Sequence, residues 1–530
     1  MEKRLLIATV LSLAILLFFN NNIIKKPVQE TQEMPQQIIS ESTQQAIEKE
    51  QAPVSTQKSE LSVFQGEETF FEAEKYKVVF SNVGASIKEI LVITNGQVEE
   101  LTKASIQNEA IFGIEGIKYG TIDTSIYSVE KQGNYILFTT KTPEGLKIEK
   151  KYVFDERKNQ VVLNLRISNT TENIINLKYD IVGPAEMKEI GFIKGRSFLE
   201  AAISLTDDSL IRKTKVKGDF KVTEPVNFAA ISNRYYSVIV KPFDAEKGIT
   251  LTGDGKEGQK IVFNGFEAGL APSESVSNEL FMYFGPTVDN ELKEYGYGFE
   301  KVVNYGIFSP ISIGLVKMLR FFHKVTNNWG VAILLLTFVV NVISFPLTKK
   351  SFTSLNKMKT LQPHMEKLKK LHKDNPQKLN KEMMELYKKY NVNPFGGCLP
   401  MLLQIPIFIA LYQGLIKAVE LKGASFLWIK DLSGPEAVHI PMTLPFIGNS
   451  INVLPLLMVV MMFFQQKIQG AQQVGATSDE QAQQQKMMMT IMPVFFGFLF
   501  YSMPSGLVLY WLTNTTLMTL EQIYLKKTAN

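Results

Sequence analysis

Polar side chains are few within the apolar runs of the C-terminal half, and they are amides and hydroxyls: Asn341, Gln404, Gln413, Asn449, Asn452, Thr513, Asn514, Thr515 and Thr516. Such groups exchange hydrogen bonds and transfer no proton at neutral pH. The chemistry they offer is the solvation of polar atoms inside an apolar medium. No carboxylate pair stands mid-run, so proton coupling and metal-assisted intramembrane proteolysis lack their usual groups. His323, His364, His372 and His439 form no HExxH or comparable ligand spacing, and the lone Cys398 builds neither a disulfide framework nor a multi-cysteine metal site. A Gly-x4-Gly-Lys-Ser/Thr phosphate loop and a Gly-x-Ser-x-Gly elbow are both absent.

The elements that would position these groups divide along the chain. With 530 residues there is room for two or three domains. The mean hydropathy of +0.01 averages two different textures. Residues 5–24, LLIATVLSLAILLFFNNNII, follow Lys3 and Arg4 and resemble a signal peptide in outline. A small-x-small cleavage site is missing, so an uncleaved transmembrane anchor over 1–24 is expected. About 20 helical residues cover ~30 Å, enough for one crossing. Residues 25–60 hold no aromatic residue, eight Gln and six Glu, the composition of a disordered tether.

From 61 to 300 short β-rich runs such as 76–80, 135–138 and 161–167 alternate with turn signals such as Thr142-Pro143-Glu144-Gly145. That pattern predicts an antiparallel β-sandwich. Its acids and bases show no catalytic cluster, and an interaction or spacer role is the expectation. Over 301–328 an amphipathic helix is expected, with Lys317, Arg320 and Lys324 on one face and Ile311, Leu315, Met318, Leu319 and Phe322 supplying apolar surface. It suits the membrane interface; the alternative is an ordinary core helix.

Five apolar runs follow, at 329–347, 395–419, 444–464, 487–503 and 506–525, each about long enough to span with some tilt. Lys417 and Glu521 are their charged residues, and Met503-Pro504-Ser505-Gly506 makes a tight turn between the last two. With the anchor, six crossings are expected. The stretch 349–390 carries 12 Lys against 4 acids, a net +8, so the remainder of a +5 chain sums to −3. This loop is expected in the cytoplasm, which puts both termini and 465–486 there and the β domain outside. Met358, Leu361, Met365, Leu368 and Leu371, then Leu379, Met383, Leu386 and Tyr390, give 348–394 the periodicity of two helices broken at Asp374-Asn375-Pro376. Their lysines fit lipid head groups, ribosomal RNA or both, or only set topology. Fifteen of 20 Met lie after residue 357, which suits ordinary core filling or a surface adaptable to varied apolar partners. A channel or transporter would call for a continuous pore or internal repeats, and neither is visible. A structural assembly factor working through its β domain is the other alternative, and deletion of 61–300 separates it from a function seated in the spans.

Residues 391–408, NVNPFGGCLPMLLQIPIF, resemble the NP-x-GGC-x-P-x-x-x-Q-x-P-x-F signature of the YidC/Oxa/Alb family of membrane protein insertases. Phe345-Pro346-Leu347-Thr348, Met358-x-x-Leu361-Gln362-Pro363, Met492-Pro493 and 496–510, ending in PSGLVLY, match in the same order over 325–525. The resemblance implies a polytopic α-helical membrane protein with six transmembrane helices, five of them an insertase core. It also implies a large periplasmic all-β supersandwich domain, as in double-membrane bacteria. It further implies residence in the inner membrane, no enzymatic activity and no cofactor. The implied partners are nascent membrane proteins, the Sec translocon, membrane lipid and the ribosome at the basic loops. Family members insert clients through a polar groove open to cytoplasm and lipid. Gln404 matches a groove position, Trp511 stands where the family has a substrate-contacting aromatic, and Tyr510 and Asn514 are further carry-overs. Members commonly have an arginine shortly before the Pro-Leu-Thr motif; this chain has Asn341, so the groove is expected to act by hydration and hydrogen bonding.

Overall fold

The computed structural model describes residues 66–104, 110–115, 124–190, 197–244, 247–255, 258–372, 375–390, 392, 399–444, 448–470 and 479–528. The expected anchor 1–24, the tether 25–60 and the signature residues 393–398 lie outside the described residues.

Between Glu68 and Pro286 the described chain forms antiparallel strands in sheets of four, five and nine. The nine-stranded sheet runs in the order Leu210–Lys213, Glu200–Leu205, Val226–Ser232, Tyr236–Pro242, Ser275–Pro286, Gln160–Asn169, Leu146–Phe154, Tyr135–Lys141 and Ser128–Gln132. Its alternation has period two, as a pleated strand requires. Leu280, Met282 and Phe284 enter the core shared with the other sheets, through Val78 and Phe80 of one and Tyr179 and Phe263 of the other. Phe281 and Tyr283 point the opposite way, into a second cluster closed by Leu292, Phe299 and Val302 from the connection to the helices. The central sheet is thus covered on both faces, which accounts for apolar runs such as AAIS (229–232) and SVIV (237–240).

The helical part comprises α1 (Ser309–Thr326), α2 (Trp329–Thr360), α3 (Gln362–Leu371), α4 (Pro376–Lys389), α5 (Leu399–Lys417), α6 (Val453–Gly470), α7 (Asp479–Phe500) and α8 (Ser505–Thr528). Of the described helices α2, over Trp329–Met358, is long and apolar enough to cross a membrane by itself; Val453–Ile468 and Thr490–Phe500 are shorter apolar stretches. The boundaries differ from the sequence expectation in several places. Helix α1 starts at Ser309 and not at 301, after the short turns Phe299–Val302 and Gly306–Phe308 and the proline in its first turn. Helix α2 does not stop at 347 but runs through Pro346 to Thr360, because a proline removes one ladder bond and neighbouring helices can hold the rest. The apolar run starting at 444 is not helical throughout: Val438–Leu444 and Gly448–Ile451 pair as a β-hairpin, and α6 starts only at Val453. Pro441 and Pro445 each lack an N–H and disfavour helix at the residue before, so apolarity alone misjudged this stretch. Helix α7 begins at Asp479, ahead of 487, in a Gln-rich stretch of good helix formers.

Helices α3 and α4 close a small core of Met358, Leu361, Met365, Leu379, Met383 and Val392. The Asn375 side chain accepts from the Lys378 N–H at 3.0 Å and Pro376 occupies the first turn, which fixes the start of α4. On α1 the basic face is partly engaged. Arg320 Nε pairs with Glu420 at 2.7 Å, and Lys317 lies 3.7 Å from Asp289. Ile311, Phe321 and Val325 stay exposed. The opposite face packs on α5, where Ser312 Oγ donates to Ala410 O at 2.7 Å and a Cβ on Gly414 would come within 2.7 Å of Val316.

Candidate functional site

Helix α8 supplies the strip on which the polar groups meet. One turn apart on it stand Tyr510 and Asn514, a spacing that places two side chains on one face. Tyr510 faces α5: its hydroxyl accepts a hydrogen bond from Gln404 Nε2 at 2.8 Å. Asn514 faces α2: its Oδ1 accepts from Asn341 Nδ2 at 2.9 Å, and the same amide donates to Thr337 O at 2.8 Å. Asn341 and Asn514 are each 5% exposed. The five expected site residues therefore resolve into two hydrogen-bonded pairs and an aromatic anchor. Trp511 packs edge-on to Phe408 at 4.8 Å and lies 5.7 Å and 5.3 Å from Phe496 and Phe500.

Helix α8 also buries polar residues, on another of its faces, that sequence reasoning passed over. Thr519 and Gln522 are buried on α8, and Gln522 Oε1 has no hydrogen-bond partner among the described residues. Together with Thr515 they recur at spacings of four and three, the signal that would have found them. Thr337, one turn before Asn341, turns its hydroxyl back to Ile333 O at 2.7 Å and leaves its carbonyl for the Asn341 amide.

At the end of the bundle next to the β domain, the polar groups serve closure. Glu436, 7% exposed, accepts the Leu454 N–H at 2.7 Å in the first turn of α6 and the Trp428 indole N–H as well. A carboxylate suits the positive end of a helix. Asn452 accepts from Ala437 N at 2.7 Å and donates to Tyr501 O at 2.6 Å. The loop before the hairpin caps α8: Gly506 N donates to Leu432 O at 2.9 Å and Ser505 N to Gly434 O at 2.7 Å. Lys417 Nζ donates to Asn304 O at 2.5 Å. Where this end meets the β domain, burial raises the Glu291 carboxyl, and the nearby Glu420 charge adds to that rise. Burial likewise pushes the Tyr305 phenol up to about 12. Among the described residues no group of three or more His, Cys, Asp and Glu is placed to hold a metal ion.

A β body bonded to one end of an apolar helical bundle, one of whose helices is long and apolar enough to cross a membrane, fits the class of membrane proteins with a large extramembrane domain. Residues 321–530 match the family described as 60Kd inner membrane protein, and residues 121–318 match the YidC periplasmic domain. A membrane protein insertase YidC of Geotalea uraniireducens is 30% identical over 559 residues, covering 99% of each chain. That of Pelobacter propionicus is 30% identical and covers 100% of each. That of Francisella philomiragia is 35% identical over 74% of this chain and 70% of its own. The chain belongs to the YidC family of membrane protein insertases. Insertion moves a segment between two solvents and breaks no covalent bond, so the protein is not an enzyme.

Proposed function

We propose that insertion takes place along the α2–α5–α8 seam, which acts as a hydrated polar groove. The observation that carries this reading is the pairing of Asn341 with Asn514 and of Gln404 with Tyr510 inside an apolar bundle. Unpaired, these groups would each forfeit the full desolvation cost of a buried polar atom. Paired, they form a store of donors and acceptors that a client's hydrophilic end can enter by exchanging partners. The client's apolar segment then moves sideways into lipid, and burying its surface contributes roughly 25 cal/mol per Å². Trp511, held by three phenylalanines, offers the apolar contact beside the polar pairs.

In this reading the chain crosses the inner membrane six times, both termini are cytoplasmic, and residues 61–300 are periplasmic. The α3–α4 hairpin, apolar inside and lysine-coated outside, receives ribosome-delivered clients or touches acidic lipid. The Sec translocon is a further partner by family resemblance.

The test is site-specific photo-crosslinking to a ribosome-stalled nascent membrane protein. Probes at Gln404 and Trp511 are expected to give client adducts, and a probe at the outward-facing Leu456, 51% exposed, to give few. Equal yields from all three positions would sink the assignment. Orientation is checked separately by thiol labelling. With Cys398→Ser as background, Lys370→Cys is expected to resist a membrane-impermeant reagent added to intact cells, and labelling from outside would reverse the topology.

A further inference from the structure

Glu521 is the one carboxylate within the apolar runs after residue 329. On α8 it follows Tyr510 by 11 residues and Asn514 by 7. At 3.6 residues per turn these are about three turns and two, so the three side chains leave the helix within ~40° of one direction. The line that bonds to Gln404 and to Asn341 therefore continues to Glu521, about 10 Å beyond Asn514 along the axis. Glu521 is half-buried. To one side of it Leu520 and Tyr524 are 56% and 60% exposed; to the other Gln522 and Leu525 are buried. It stands at the rim of the bundle.

Among the described residues no hydrogen bond or ion pair engages its carboxylate. The other charge in these runs, Lys417, lies at the opposite end of the bundle and donates to Asn304 O. Asn341, Gln404, Tyr510 and Asn514 pair among themselves and bring no cation. A half-buried carboxylate favours an opposite charge beside it, and here that charge has to come from another molecule. The neighbours narrow the choice. Leu517 and Met518, one turn before Glu521, are half-buried and apolar, and Met518 Sδ takes a weak contact from Asn514 Nδ2 at 3.6 Å. An apolar shelf ending in a carboxylate fits a side chain with an alkyl stem and a cationic tip, which describes lysine and arginine. A bound divalent ion asks for several oxygen ligands, and one carboxylate supplies two at most.

We propose that Glu521 is a specificity-determining residue of the groove. It pairs with the Lys or Arg that flanks a client's apolar segment, and so decides which end of that segment stays in the cytoplasm. The basic flank stops at the rim, short of the depth where a charge is most costly, while the apolar segment moves into lipid. The neutral Asn341–Asn514 pair leaves charge selection to Glu521. The inference rests on the reading of the α2–α5–α8 seam as the client groove and of the end of α8, where Lys526 and Lys527 follow, as cytoplasmic.

The experiment uses the full-length protein in phosphatidylcholine proteoliposomes without a membrane potential, which removes anionic lipid and voltage as sources of charge bias. Three single-span clients differ only in the residue flanking the apolar segment on the cytoplasmic side: Lys, Gln or Glu. Protection of the translocated tail from protease reports insertion. The unmodified protein is expected to insert the Lys client about fivefold faster than the Glu client, the scale of a partly screened ion pair. Glu521→Gln should bring that ratio close to one, and Glu521→Lys should invert it. A ratio near one in the unmodified protein would overturn the proposal. So would a ratio that survives Glu521→Gln, or an equal loss of all three clients in both variants. A second measurement needs no variant: carbodiimide treatment of the unmodified protein carrying a stalled Lys client should give an amide link between the client lysine and Glu521, read by mass spectrometry, and its absence would also overturn the proposal. Failure of the groove reading looks different: crosslinks from Gln404 and Trp511 would be lacking, whatever the charge preference.

Discussion

Asn341→Leu is expected to lower the insertion rate of clients with polar tails by about tenfold or more, the effect of raising a barrier by ~1.4 kcal/mol or more. The substitution removes the amide that donates to Asn514 Oδ1 and Thr337 O. Asn514 Oδ1 then faces leucine methyls at a site that is 5% exposed, and an unsatisfied buried acceptor costs about 1–3 kcal/mol. A client tail meeting this dried stretch loses both a donor and the water it would attract. Asn341→Arg has the opposite character. Guanidinium N–H groups can still serve the same two oxygens, so insertion should persist, with a shift toward clients carrying acidic tails. Local water screens that attraction, which keeps the shift modest. The measurement compares paired clients differing only in tail carboxylates. A strong acidic preference in the unmodified protein, indifferent to any change at 341, would place the responsible charge elsewhere and remove Asn341 from the groove.

Gly330→Ala should destabilise the protein by about 1–3 kcal/mol, the usual cost of forcing extra atoms into packed space. Gly330 lies in the first turn of α2, and a Cβ there would sit 2.0 Å from Phe426 Cγ and 2.5 Å from Phe426 Cβ. Phe426 cannot simply swing away, because its N–H and carbonyl both pair with Ile429 at 2.9 Å and hold the loop that caps α8. The clash has to outweigh a gain, since alanine in a helix is favoured over glycine by about 1 kcal/mol. That opposition makes the test sharp. In a Phe426→Ala background the clash vanishes and the same Gly330→Ala change should become neutral or stabilising. Thermal denaturation of the four proteins of this cycle in nanodiscs measures the coupling. Stabilisation by Gly330→Ala in the unmodified background would show that the loop does not rest on this helix.

Much of this protein was written in local patterns. The β-rich runs of 61–300 are short and punctuated by turn signals, and the apolar runs after 329 are about long enough to span; length and punctuation are one-dimensional properties. The two basic helices followed from apolar residues spaced three and four apart and from the Asp374-Asn375-Pro376 break between them. The motif around Gln404 and the PSGLVLY run announced the family directly, and they also nominated Tyr510, Trp511 and Asn514.

Tertiary structure decided which of these residues are partners. Asn341 and Asn514 are 173 positions apart, and Gln404 and Tyr510 are 106 apart. No local rule says that an amide will spend its donor on another side chain rather than on a client. Helix boundaries moved for two reasons: packing let α2 keep Pro346 inside it, and local prolines made the start of the apolar run at 444 part of a hairpin. The double burial of the central sheet also stayed hidden, because a strand covered on both faces loses the alternation that reveals orientation. Arg234 escaped the sequence altogether. In the chain it is one arginine in a polar turn, and only folding brings it to two carbonyls 182 and 199 residues away. Sequence sets the solvent preference of each segment, since that depends on neighbours a few residues off. Pairing between segments depends on geometry that exists only once those preferences have been satisfied together.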